Sequence, residues 1–219
     1  MASQKYRILY DSGEGEIVEK KSRFIAHTAP AKTEEEAHEF IEKIKKQYWD
    51  ARHNCWAYRV GMEQPVVRCS DDGEPSGTAG KPMLEVILGE DLHNIVVVVT
   101  RYFGGTLLGT GGLIRAYTKS TQEGIKNSRT VVKCLGQELS VACDYATSGK
   151  IQYMAAAEEI PVLGTDYTEE VVFHMIVPEN QAKAIENKFI EASSGKVKIT
   201  ELEKKYFVDL DGEIQILEE

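Results

Sequence analysis

No apolar run in this sequence approaches the roughly eighteen residues needed to cross a bilayer. The N-terminal stretch, MASQKYRILYDSGEG, has no apolar h-region. These two absences predict a soluble chain that is not secreted, expected in the cytoplasm. Cysteine is sparse and unpaired in pattern: Cys55, Cys69, Cys134 and Cys143 include no C-x-x-C. That argues against a zinc knuckle or a disulfide framework and for free thiols in a reducing compartment. Gly-Lys-Ser/Thr is missing, and the glycines lack the spacing of a dinucleotide fingerprint, so neither ATP hydrolysis nor a nicotinamide site is supported. No cofactor and no metal site are expected, and there are no repeats or low-complexity tracts.

What is present is ordinary globular material, 42% hydrophobic and 28% charged over 219 residues, enough for one large or two small domains. The formal charge of -9 argues against nucleic acid until its distribution is read. Residues 1 to 133 hold 19 Lys and Arg against 18 Asp and Glu, net +1; residues 134 to 219 hold 7 against 17, net -10. A near-neutral first half has room for a local basic groove.

The patterning divides the chain at the same place. Tyr6 to Tyr10 and Gly15 to Ala29 read as strands around an Asp11-Ser12-Gly13 turn. A Thr33/Glu36 capping box then opens an amphipathic helix to Tyr48, with Ala37, Phe40, Ile41 and Ile44 on one face. Ile95 to Val99 is a continuous β-branched run, the signature of a strand buried on both faces. A second helix follows through Leu113, Ile114, Ala116 and Tyr117 to about Asn127. After a short connection, Ser128 to Lys133, the series restarts. It comprises a strand through Leu139, Val141 and Cys143, a helix from Thr147 to Glu159, strands at Val162 to Tyr167 and Val171 to Val177, a helix from Glu179 to Ala192 and a strand from Val197 to Val208. This β-α-β-β-α-β order is ferredoxin-like. The expectation is an α+β protein with a first domain over 1–133 and a ferredoxin-like domain over 134–219.

Three segments of the first half stand apart from scaffold sequence. In Asp50 to Tyr58, His53 and Cys55 share one face if the segment is extended, which raises a thiolate/imidazole pair; a Cys beside a Trp is more often a small buried hydrophobe. Ser70 to Pro82 is dense in turn formers and reads as a long, exposed, mobile loop. Its Asp71, Asp72 and Glu74 match no calcium-loop spacing, and its Ser76 and Thr78 are candidates to hydrogen-bond a ligand. The third segment runs from Val97 to Tyr117, where a strand leads through Arg101, Tyr102 and Phe103 into five glycines in nine residues, Gly104 to Gly112. Either these glycines serve backbone geometry, or their amides approach an anion at a helix N-terminus. Arg101 and Arg115 would supply cations there, and Tyr102 and Tyr117 stacking rings.

Taken together, His53-Asn54-Cys55-Trp56-Ala57-Tyr58, Asp71-Asp72-Gly73-Glu74-Pro75-Ser76-Gly77-Thr78-Ala79-Gly80, and Arg101-Tyr102-Phe103-Gly104-Gly105 through Leu113-Ile114-Arg115-Ala116-Tyr117 closely resemble the signature of the IMPACT/YigZ family. The resemblance implies a first domain similar to domain 2 of ribosomal protein S5. It implies a second similar to the ferredoxin-like modules of elongation factor G, as in the bacterial branch. It also implies a link to translation regulation, with RNA, the ribosome or translation factors as partners. The RWD domain of eukaryotic members has no counterpart here, so their role in an eIF2α kinase pathway is not carried over. Some members have a lysine where this chain has Leu107.

Three functional readings follow. The first is a non-enzymatic module that binds RNA, ribosome or a phosphate-bearing ligand through Arg52, His53, Ser76, Thr78, Arg101, Tyr102, Gly104, Gly105, Thr110, Gly111, Gly112, Arg115 and Tyr117. The second is a protein-interaction regulator that uses the 70–82 loop. The third is an enzyme acting on a small phosphorylated or amide substrate, with His53, Cys55 or Asp72 as acid, base or nucleophile.

Overall fold

Residues 5–217 are described by a computed structural model. Its first unit, Tyr6–Val131, is built from β1 (Lys5–Asp11), β2 (Gly13–Glu19), β3 (Ser22–Pro30), α1 (Glu34–Gln47), β4 (His53–Val60), β5 (Val66–Ser70), α2 (Gly80–Gly89), β6 (Leu92–His93), β7 (Ile95–Tyr102) and α3 (Thr110–Lys126). Five of these strands form an antiparallel sheet in the order β2-β3-β7-β4-β5. β1 and β6 pair in parallel. The β-branched run is the middle of this sheet, and Ile95 to Val99 are all fully buried. One sheet face, with Phe24, Ala26, Cys55, Ala57, Val97 and Val99, packs with Met83 and Ile87 of α2 and Leu113, Ala116 and Tyr117 of α3. The other, with Tyr58, Val60, Val96 and Val98, packs with Ala37, Ile41 and Ile44 of α1. Helices on both faces explain why Ile95 to Val99 of β7 are apolar at every position instead of alternating.

Local sequence explains most boundaries. Thr33 Oγ1 caps α1 by accepting from Glu36 N–H at 3.2 Å. The Glu36 carboxylate reaches back to Lys32 N–H at 2.6 Å, one residue beyond the N-cap amide that a capping box would engage. The segment expected as one strand from Gly15 to Ala29 is a hairpin. Lys20 and Lys21 both have positive φ, 46° and 66°, the conformation that turns tightly wound strands back on themselves. Two lysines carry none of the Asn-Gly signal that marks such turns.

The second unit comprises the residues from Val132 onward with Lys5. Its elements are β8 (Arg129–Cys143), α4 (Tyr145–Ala157), β9 (Val162–Tyr167), β10 (Val171–Pro178), a 3-10 turn at Glu179–Gln181, α5 (Ala182–Ala192), β11 (Lys198–Leu210) and β12 (Glu213–Leu217). Residues 129–133, expected as a connection, are the start of β8. Within this unit β8, β9, β10 and β11 lie side by side as β9-β10-β8-β11, all antiparallel, with β12 added beyond β11. This is the ferredoxin-like arrangement that the element order predicts. Both helices lie on one face: Ile151 and Ala155 of α4 and Ile185 and Phe189 of α5 share a core with Leu139, Val141, Val171, Phe173 and Met175. Asp144 starts α4 by accepting from Thr147 N–H at 2.7 Å.

Candidate ligand-binding face and its buried support

The three signature segments converge at one end of the five-stranded sheet. Antiparallel pairing sets His53 of β4 opposite Arg101 of β7, and Arg101 opposite Phe24 of β3. Arg101 is not a surface cation. Its side chain is 7% exposed, its Nη1 donates to Glu74 Oε1 at 2.6 Å, and that carboxylate is 3% exposed. The guanidinium also lies over the rings of Phe24 (5.4 Å) and Phe103 (5.7 Å). Glu74 Oε1 accepts a second hydrogen bond, 2.9 Å from Tyr117 Oη. The Cys55 thiol donates to the Asp71 carbonyl at 2.9 Å and lies 3.3 Å from Tyr117 Oη.

This network corrects several expectations. Tyr117 is fully buried with its ring edge-on to Phe24, so it offers no stacking face to a ligand. Burial, followed by the neighbouring Cys55 and Glu74, pushes its phenol far up, and it remains a hydrogen-bond donor. The thiolate/imidazole pair is not formed: His53 Nδ1 contacts the Asp72 carbonyl at 2.9 Å, while Cys55 points into the core. Burial drives the Cys55 thiol far above its ordinary pKa, which opposes the thiolate a nucleophile requires.

The Ser70 to Pro82 segment, expected as a long exposed loop, is exposed only in part. Asp71 accepts three backbone hydrogen bonds, from Gly77 (2.8 Å), Ala79 (3.0 Å) and Gly80 (2.9 Å). Thr78 is buried and its hydroxyl donates to the Pro75 carbonyl at 2.7 Å, so it is spoken for, whereas Ser76 is exposed. From Gly80 the chain is already helix α2, with Pro82 in its first turn, where a missing N–H costs nothing. Burial alone would raise the Asp71 carboxyl, but the three amides outweigh it and hold its pKa below the usual value. The three acids do not converge on a cation. Asp71 serves the loop backbone, Asp72 accepts from Asn54 N–H at 2.7 Å, and Glu74 serves Arg101 and Tyr117. Among the described residues no cluster of metal-ligating side chains occurs.

Solvent meets this assembly in a depression of about 600 Å³ lined by Asp50, Arg52, His53, Arg101, Tyr102, Phe103 and Leu107. Arg52 is exposed and has no carboxylate partner among the described residues. Tyr102 donates its hydroxyl to Asp50 Oδ1 at 2.7 Å, which fixes the ring at the rim. Phe103 and Leu107, 53% and 83% exposed, add apolar lining beyond the charged and polar residues that the sequence singles out. The available signal was two apolar residues inside a turn-rich loop.

The glycines divide by role. At Gly104 a Cβ would stand 2.0 Å from the Lys21 carbonyl carbon, so the loop passes too close to the β2–β3 turn for any side chain. Gly105 and Gly109 have φ of 83° and 69° and need glycine for conformation. Gly111 and Gly112, by contrast, lie in the first turn of α3 after the exposed Thr110, where no side chain caps the helix. Gly112 lines a second, smaller depression of about 360 Å³ with Ile17, Glu19, Ile114, Arg115 and Lys119 among its other residues. Arg115 is exposed there.

Residues 20–125 match the Impact N-terminal domain, and residues 141–196 match a domain of unknown function, DUF1949. The chain is 45% identical over 201 residues to the IMPACT family member YvyE of Bacillus subtilis, covering 92% of this chain and 93% of that one. It is 34% identical to the IMPACT family member YigZ of Escherichia coli, covering 84% and 92%. A solved structure described as that of a hypothetical protein superposes with a TM-score of 0.59 at 31% identity, over 93% of this chain and 99% of its own. The chain belongs to the IMPACT family.

Proposed function

We propose that the protein is a non-enzymatic binding and regulatory protein of the translation apparatus, and that it engages RNA or another phosphate-bearing surface through the face around Arg52. The observation that carries this reading is the depression in which an unpaired, exposed Arg52 and the His53 imidazole stand beside the exposed Phe103 ring. A cation for phosphate next to an aromatic face for a base is the combination that single-stranded nucleic acid needs. Arg115 and Lys119, at the far end of the glycine loop, are further exposed cations without carboxylate partners among the described residues. The buried Arg101, Glu74 and Tyr117 act beneath this face as positioning groups. Membership of the IMPACT family supports the link to translation, and the interior position of Cys55 favours binding over nucleophilic chemistry.

The test is binding of a fluorescent single-stranded RNA to wild type and to an Arg52→Ala/Phe103→Ala variant across a salt series. Each lost phosphate contact should flatten the slope of log affinity against log salt by about 0.7, and the lost ring should weaken binding at every salt. No binding at low salt, or a variant indistinguishable from wild type, refutes RNA recognition at this face and turns the exposed Phe103 and Leu107 into a candidate protein contact.

A further inference from the structure

The second unit presents an unguarded sheet edge in an acidic setting. β9 pairs only with β10, so the groups on its outer edge have no strand partner among the described residues. Five of its six residues are exposed, Tyr167 by 68%, and Val162 and Leu163 are also apolar. Natural edges are ordinarily blunted by lysine, proline or strong irregularity. Here the strand itself contains no Lys and no Pro, and a bulge opposite His174 and Met175 interrupts only its first half, leaving Gly164 to Tyr167 in regular register. The far end is held in place by Tyr145, whose hydroxyl donates to the Thr168 carbonyl at 2.8 Å.

The charge around this edge is one-sided. Between Lys150 and Lys183 the sequence has no Lys or Arg and six carboxylates, Glu158, Glu159, Asp166, Glu169, Glu170 and Glu179. Glu158 and Glu179 are taken up by Lys188 and Lys204, and Asp166 by His174 at 3.0 Å. Glu159, Glu169 and Glu170 are exposed without a cation partner among the described residues, and they bracket the strand at both ends.

We infer that β9 is a docking edge for an extended, basic peptide segment of another protein, which adds as a further strand. Backbone hydrogen bonding to Gly164–Tyr167 would supply affinity. Lysine or arginine at both ends of the segment would meet Glu159 on one side and Glu169 and Glu170 on the other, and alternate apolar residues would cover Tyr167. A second copy of the same chain fits poorly. Antiparallel pairing of β9 with β9 would bring Glu159 of one copy against Glu169 and Glu170 of the other, and like charges set opposite one another destabilise a ladder.

The test is a titration of ¹⁵N-labelled full-length protein with a short synthetic peptide carrying paired lysines at each end and alternating valine and threonine between. Saturable shifts and slowed amide exchange are expected at Gly164 to Tyr167. N-methylation of alternate peptide amides should abolish them. Glu169→Lys/Glu170→Lys, checked for intact folding by circular dichroism, should weaken binding roughly tenfold, and Tyr167→Lys should guard the edge in the natural way. Absence of saturable shifts in β9, or binding that survives N-methylation, overturns the proposal. Concentration-dependent dimerisation lost in Tyr167→Lys, without peptide binding, overturns it in favour of a second copy.

Discussion

Removing the Arg101 guanidinium should strongly destabilise what the first unit builds at its sheet end. In Arg101→Ala the Glu74 carboxylate, 3% exposed, keeps Tyr117 as its donor and loses the one cation paired with it among the described residues. Stranding one member of a buried ion pair costs about 3–5 kcal/mol. A unit of this size has a total stability on the order of 6–19 kcal/mol, and each kcal/mol moves the midpoint by roughly 3–5 °C. A fall of about 10–25 °C is therefore expected. Both tryptophans, Trp49 and Trp56, lie in this unit, so their fluorescence during urea or thermal unfolding reports it separately from the second. A double Arg101→Met/Glu74→Leu variant removes both charges and should recover most of the loss, because replacing a buried pair by apolar side chains is often neutral. If Arg101→Ala costs less than about 1 kcal/mol, or the double variant is no more stable than the single one, the buried network is not what holds the signature segments together.

The glycine loop and the Asp71 turn yield two further expectations. Gly104→Ala forces a methyl group into the Lys21 and Ser22 backbone and should destabilise strongly, whereas Gly105→Ala meets open space and bears only the positive-φ cost of about 1–2 kcal/mol; unfolding curves of the two variants check the order. The Asp71 carboxyl is held below its ordinary pKa by three amides, so its contribution is complete above the usual aspartate range and is lost as the pH falls through the lowered value. Amide exchange at Gly77, Ala79 and Gly80 should accordingly lose protection on acidification, and Asp71→Asn should show the same loss already at neutral pH.

The sequence alone was sufficient for the class of the fold. The unbroken, β-branched Ile95–Val99 run pointed to a strand covered on both faces, and the alternation of strand and helix patterns after Gly136 to the ferredoxin-like order, because each rests on local residue type and periodicity. Motif residues were legible as a group for the same reason: their identities and order are local facts. Their assignments to surface or interior were not. Arg101 and Tyr117 look like ligand groups in the sequence and are interior partners of Glu74, because sheet register sets Arg101 between Phe24 and His53 and helix packing delivers the Tyr117 hydroxyl from α3. Asp71 reads as a solvated acid until the chain folds back so that three amides converge on it. Periodicity reports which face of an element is apolar; only tertiary structure decides which polar side chains meet each other and which are left to meet a ligand.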